Sequence, residues 1–430
     1  MKRWKKAVIG LVTGMMALST LGACGSSSNS ASGGSKERDR ITVLLKDSET
    51  SSKYKIFKKL LQEFSEEKGL KEPEFELVSS DADYLTKLQL YINSDTLPDI
   101  YACPNGTLSA AAQDIDAMVN IGDELKAVDM YDEMNGALID FFKDAGDGEM
   151  YLFPEGLYCE FFAYRKDLFE KYGLSVPETW DDFLAVCQTL KDKGEIPLVA
   201  SGKDNWVLMR YLSFAPWRMT HDKFITDYIN GTDGFEKNVA AQTGTSLLYT
   251  LGTEGYFQNG FMSADSNAAN DVFFGGTGAL MYSGSGSMFQ AEELYNEGKL
   301  GFFPVPAVAG EKNIKTDIPI HGGYGTAFNK KKYDSTMKEF FKYMCENYTD
   351  ACYHTAQIFS PFKGELPEGL NPMFYDIQPM FENATEGWVS WDDKLDSATL
   401  TELVAEQQKL AQGTIKPAEF EKKADSLITK

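Results

Sequence analysis

Residues 146–200 alternate strand-like and helical runs at short intervals, and that alternation points to a layered α/β architecture before anything else is read. Residues 149–154 are apolar and aromatic behind a Gly-Asp-Gly turn, and 161–164 form a second such run. Residues 166–172 read as a short helix stopped by Gly173. Thr179 and Asp182 then have capping-box spacing: the hydroxyl accepts from one free N–H of the first turn, and the carboxylate three residues on reaches back to another. Trp180, Phe183, Leu184, Cys187 and Leu190 recur at helical spacing as one apolar face. Asp181 and Asp182 complement the positive start of this helix and Lys191 and Lys193 its negative end, before Gly194 closes it. Residues 196–200 follow as a buried strand.

The same alternation is present earlier in the chain. Strands are expected at 41–45, 75–78 and 97–101, with helices at 54–67 and 83–93 between them, which predicts a mostly parallel sheet. Loops leaving the carboxyl ends of such strands bind ligands. They nominate Lys46, Asp47, Ser48 and Glu49 after the first strand, Ser80 and Asp81 after the second, and Cys103, Pro104 and Asn105 after the third. Each of these could equally be a turn or cap residue. Asp47 and Asp81 are the stronger candidates, because a short carboxylate accepts hydrogen bonds from two hydroxyls at once.

At 430 residues the chain exceeds one ordinary core, so two domains are expected. A formal charge of −22 argues against nucleic acid as a partner. The six cysteines fall at irregular spacings, which excludes a disulfide scaffold and a zinc site. Cys345 and Cys352, two turns apart on one helical stretch, lie about 10 Å apart, too far to bridge. His221, His321 and His354 share no metal-ligand spacing, and neither a nucleophile elbow nor a phosphate loop occurs, so no metal and no cofactor is expected. Carboxylates are numerous enough that a secreted carbohydrate-active enzyme stays open as an alternative, and the acidity also permits a polyamine or peptide receptor.

The N-terminus carries four basic residues within 1–6, an apolar run over 7–21, and then Leu21-Gly22-Ala23-Cys24. That is the layout of a signal peptide, too short for a confident membrane span. Leu-Gly-Ala-Cys resembles the bacterial lipobox, which implies a signal peptide over 1–23, lipidation at Cys24 and a Gly/Ser-rich tether over 24–40.

The run Tyr-Arg-Lys-Asp-Leu-Phe-Glu-Lys-Tyr-Gly-Leu (164–174), followed by Val-Pro-Glu-Thr-Trp-Asp-Asp-Phe (176–183), resembles the signature of extracellular solute-binding proteins of sugar ABC transporters, the maltose-binding-protein-like family. Residues 97–101, 273–290, 301–306, 322–330, 335–347 and 400–417 carry further short motifs similar to that family's. The resemblance implies a two-lobed periplasmic-binding-protein-like α/β fold, each lobe a mostly parallel sheet flanked by helices. Lobe 1 would comprise 41–156 and 305–348, and lobe 2 would comprise 157–304 and 349–430, with crossings near 156, 304 and 348. It implies no catalysis. The expected protein is a monomer, lipid-anchored on the outer face of the bacterial membrane, that captures a carbohydrate, an oligosaccharide by preference, and delivers it to an ABC permease.

The stacking platforms expected from the family are Tyr158, Trp206 after Asp204 and Asn205, and one of Trp388 and Trp391, which stand three apart among polar residues. Trp206 could instead start a helix core, and either late Trp could pack beneath the other. Where many members carry Trp after a glycine this chain has Ser285-Gly286-Ser287, so Ser285 is a polar candidate, with Gly323 and Tyr324 from the Gly-Gly-Tyr-Gly motif.

Overall fold

The computed structural model describes residues 38–144, 148–310, 319–381 and 390–428. Nine strands occur among them: β1 (Thr42–Leu45), β2 (Glu74–Leu77), β3 (Ile100–Cys103), β4 (Tyr158–Arg165), β5 (Leu198–Val199), β6 (Leu280–Gly284), β7 (Leu300–Phe303), β8 (Ile320–His321) and β9 (Gly325–Phe328). The first sheet has the order β2-β1-β3-β9. In it β1 runs parallel to β2 and β3, while β9 pairs antiparallel with β3. The helices Ser52–Lys68 and Asp81–Ser94 make the connections between the parallel strands. Val43, Leu44 and Leu45 are all buried, as a parallel strand covered on both faces requires.

The second sheet has the order β5-β6-β4-β7, with β8 on the early residues of β4. Here the expectation of a mostly parallel sheet fails. β5 runs parallel to β6, but β4 is antiparallel to both β6 and β7 and lies between them as the one reversed strand. Its two faces serve different cores. Phe162 enters a cluster with Trp180, Phe214 and Tyr282, whereas Phe161 and Ala163 enter one with Phe273 and Phe374, as the period of two dictates.

Local signals translate closely where the cap chemistry is explicit. The capping box of Thr179 and Asp182 is formed, and its helix spans Trp180–Asp192. Lys166–Tyr172 ends at Gly173 in the left-handed conformation, φ 65°. Residues 149–154 do not form a strand; Phe153 makes only a bridge with Thr326, because the chain here passes the edge of the first sheet rather than joining it. The helix Val239–Thr253 is clamped between Asn205–Thr220 and Ser397–Ala411. Only glycine fits at the contact, since a Cβ on Gly244 would overlap the Leu212 carbonyl oxygen. Cys103, Cys159, Cys187, Cys345 and Cys352 are buried free thiols. Among the described residues no helix is long and apolar enough to cross a membrane, and no group of side chains is arranged to hold a metal ion.

Candidate ligand-binding cleft

A cleft of about 1490 Å³ opens at the carboxyl ends of β1, β3, β5 and β6. That exceeds the roughly 300–1,000 Å³ usual for a drug-sized ligand. One wall comes from Lys46, from Asn105 to Thr107, and from Leu85 and Gln89 of the Asp81–Ser94 helix. The other comes from the strand and helix ends of the second sheet. Gly323 and Tyr324, between β8 and β9, line it as well.

Of the residues nominated by sequence, Lys46, Pro104, Asn105, Tyr158, Asp204, Trp206, Gly323 and Tyr324 line this space. Lys46 places its ammonium 4.7 Å from the Tyr324 ring centroid. Asp204 has a structural task, since its carboxylate accepts from the Ser266 amide at 2.6 Å and from the Ser266 hydroxyl, tying the start of the Asn205–Thr220 helix to that of the Ser266–Phe274 helix. Tyr158 is half-buried and stacks on His321, with centroids 5.5 Å apart and planes 24° apart. Gly286 and Gly323 leave room for its ring, because a Cβ at either would stand 2.9 Å or 3.1 Å from a ring carbon. The Ser-Gly-Ser sequence thus sits where Tyr158 already fills the space.

Seven nominated residues lie off the cleft lining, Cys103 among them as a buried thiol. Ser48 turns into the approach to the first helix, its amide donating to the Ser51 hydroxyl at 3.0 Å, and Glu49 is exposed beside it. Asp47 points behind the wall, toward Lys53 and Glu155, with Oδ2 buried and unpartnered. Ser285 is buried and its hydroxyl accepts from the Cys159 amide at 3.2 Å, so it locks the turn after β6 onto β4. Trp391 is 2% exposed and packs on Phe224 and Phe235 at 5.5 and 5.9 Å, because it opens the Trp391–Lys394 helix on its core side. Ser80 caps its helix by accepting from the Asp83 amide. The side chains of Asp81 and Asn205, and all of Trp388 and Cys24, lie outside the described residues.

Sequence reasoning missed the polar floor. Glu160 on β4 and Arg210 on the Asn205–Thr220 helix form a buried pair: Nε and Nη2 donate to Oε2 and Oε1 at 2.9 and 3.2 Å. The Tyr282 hydroxyl donates to Glu160 Oε2 at 2.6 Å, and His321 Nε2 lies 3.4 Å from Oε1. Arg210 Nη1 donates to Asp392 at 3.0 Å, and its guanidinium carbon lies 5.4 Å from the Trp206 ring centroid. Burial pushes the Glu160 carboxyl up, but the Arg210 charge and the His321 contact outweigh it and hold the group below the usual carboxylate range. The available signal was weak. Glu160 interrupts an aromatic strand run and Arg210 an apolar helix, and a charge inside a buried run needs a partner.

Two further cations of the lining are paired within the protein, and Asp396 is held by backbone amides. Lys203 pairs with Asp265 at 3.2 Å and Lys394 with Asp222 at 3.1 Å. Asp396 accepts from the Ala398 and Thr399 amides at the start of the Ser397–Ala411 helix. What faces the cleft is therefore aromatic surface together with four cations, Lys46, Lys203, Arg210 and Lys394, and four carboxylates, Glu160, Asp204, Asp392 and Asp396.

The family profile of bacterial extracellular solute-binding proteins matches residues 47–347. Among curated relatives, the chain is 26% identical over 249 residues to the sn-glycerol-3-phosphate-binding periplasmic protein UgpB of Rhizobium meliloti, covering 54% of each. It is 42% identical over 48 residues to the multiple sugar-binding protein of Streptococcus mutans, 11% of each chain. The chain thus spans about half or less of the length of these relatives. Among solved structures, a chitin oligosaccharide binding protein superposes with a TM-score of 0.76 at 19% identity, over 91% of this chain and 98% of the other. A protein from work on xylan utilization by the thermophilic bacterium Caldanaerobius polysaccharolyticus gives the same TM-score at 21% identity, over 91% and 100%. These structures share the two-lobed fold, and with the profile covering more than half of its length, the chain belongs to the bacterial extracellular solute-binding protein family.

Proposed function

We propose that this protein is the capture component of an ABC importer. It takes an uncharged carbohydrate, an oligosaccharide, into the cleft and hands it to the permease. The observation that carries the reading is the balanced lining: four cations, Lys46, Lys203, Arg210 and Lys394, stand with four carboxylates, Glu160, Asp204, Asp392 and Asp396, beside the faces of Trp206 and Tyr158. Pyranose C–H faces are apolar while their hydroxyls are not, so flat rings next to fixed polar groups suit a neutral sugar. A ligand with net charge would be left uncompensated in such a site. The relatives named for sugars support the same class, and the volume supports more than one sugar ring.

The reading includes two lobes, 41–156 with 305–348 and 157–304 with 349–430, closing on the ligand about the crossings near 156, 304 and 348. Lipidation at Cys24 would hold a monomer at the outer face of the membrane. A thermal-shift screen against neutral oligosaccharides, glycerol 3-phosphate, polyamines and short peptides tests the ligand class, because a ligand at 100 times its Kd stabilises the folded state by about 2.7 kcal/mol. Raffinose, stachyose, xylotetraose and chitotetraose are the first probes. A shift with glycerol 3-phosphate or a polyamine, and none with any sugar, would overturn the reading.

A further inference from the structure

Behind the cleft wall, away from the Glu160–Arg210 floor, a second cation is buried. Lys53, in the first turn of the Ser52–Lys68 helix, has a side chain only 2% exposed. Its ammonium donates to the Tyr324 carbonyl oxygen at 2.6 Å and lies 3.5 Å from Glu155 Oε2. Glu155 in turn stands beside the Tyr158 ring: a Cβ on Gly323 would lie 3.0 Å from its Oε2 and 3.1 Å from the ring's Cε2. The Glu155 amide donates to the Gly322 carbonyl at 3.0 Å, and its own carbonyl accepts from the Tyr348 hydroxyl at 2.8 Å. Two separate segments, 153–158 and 322–326, are thereby held on one charge, and each delivers one tyrosine to the cleft.

Desolvating an ammonium costs several kcal/mol unless its partners are well placed, and apolar residues of similar size often serve stability as well. A buried, hydrogen-bonded charge of this kind fixes one arrangement of the groups around it. Here those groups are the backbone at Tyr324 and the ring of Tyr158. We propose that Lys53 is a positioning residue for the binding cleft, setting both tyrosine walls from the first helix without touching the ligand. Its importance for capture rests on the reading of the cleft as the ligand site; its effect on the two segments does not.

The experiment is hydrogen exchange on ligand-free full chain carrying Asp47→Asn throughout, which neutralises the second carboxylate facing Lys53; it compares this parent with Lys53→Met and with Lys53→Met/Glu155→Gln, the last relieving the carboxylate that Lys53→Met leaves buried and unpaired. Melting temperature should fall in the single variant and recover in the double. Exchange at 322–326 should stay at least tenfold faster than in the parent in both, while β1 and β3 keep parental protection in the double variant. A role in charge balance alone predicts that the double variant restores protection at 322–326 together with melting temperature, and that result would overturn the proposal, as would unchanged exchange there in the single variant. A parallel arm measures affinity for whichever of raffinose, stachyose, xylotetraose and chitotetraose shifts the parent's melting. A tenfold or greater loss in the double variant supports the link to capture, and parental affinity refutes that link. If no sugar shifts the parent, the functional reading fails while the exchange data still decide the role of Lys53.

Discussion

Replacing Arg210 with Met removes the guanidinium and keeps most of the side-chain volume. Glu160, 5% exposed, then keeps only the Tyr282 hydroxyl and the neighbouring His321. The lost bonds at 2.9 and 3.2 Å are a two-pronged grip inside the protein. Breaking a buried pair by removing one partner costs about 3–5 kcal/mol, because an uncompensated charge stays behind. The third lost bond, to Asp392, adds little, since that side chain is 27% exposed and such pairs are worth about 1 kcal/mol or less. Urea unfolding at pH 7 should therefore show a loss of about 3–5 kcal/mol. The pH dependence identifies the cause. In the parent, the depressed Glu160 pKa contributes stability that is present above the unfolded carboxylate value near 4.3 and lost as pH falls through the depressed value. In the variant, only the His321 contact and the Tyr282 hydroxyl oppose burial, and the Glu160 pKa is expected to rise above its unfolded value, so the variant regains stability as acid protonates it. The gap between the two should be widest at neutral pH and should narrow below about pH 4. Glu160→Gln/Arg210→Met should recover most of the loss. A single variant within 1 kcal/mol of the parent at pH 7, or a gap that does not narrow in acid, would refute this account of the floor.

Three further outcomes are expected. Asp47 shares the single charge of Lys53 with Glu155 in a desolvated site, and burial raises its pKa to about 6. A raised carboxylate favours the folded state only when protonated, so the penalty is absent below 3.8 and complete above about 6. Asp47→Asn should be more stable than the parent at pH 7.5, by no more than about 3 kcal/mol, with the difference closing below pH 4; equal melts at pH 7.5 would refute it. Gly244→Ala forces a methyl onto the Leu212 carbonyl oxygen and should cost about 1–3 kcal/mol in urea melts, whereas a neutral result would mean that the helices separate freely. Trp206→Ala should weaken binding of the cognate sugar by at least about 2 kcal/mol, read by calorimetry, and parental affinity would show that the platform lies elsewhere.

Most of the fold was legible because its signals are local. Thr179, Asp182 and Gly173 set helix ends through bonds within a few residues, and these came out as read. The apolar face of that helix was read without Val186, which is buried beside Trp180, Phe183, Cys187 and Leu190 while Leu184 is half-buried against the same core, because the helix packs on partners distant in sequence. Strand direction was the least legible feature. Nothing in residues 158–165 announces that β4 runs against its neighbours, since antiparallel and parallel strands buried on both faces are equally apolar.

The site divides along the same line. Tyr158, Asn105 and Tyr324 could be nominated because strand ends and Gly-rich turns mark where loops converge. Trp391 was misassigned because polar neighbours in sequence suggested exposure, whereas the indole reaches back across the chain to Phe224 and Phe235. Asp47 and Arg210 show the limit most clearly. Asp47 was read as a hydroxyl acceptor at a strand end, and Arg210 was not singled out at all. Glu160 and Asp392, 50 and 182 residues away, draw Arg210 to the cleft floor, while Asp47 turns behind its wall toward Lys53, six residues on, and the distant Glu155. A protein this acidic can present a charge-balanced cleft only if its interior cations are placed against chosen carboxylates. Arg210 and Lys53, both nearly inaccessible, occupy the two positions where the aromatic walls are anchored.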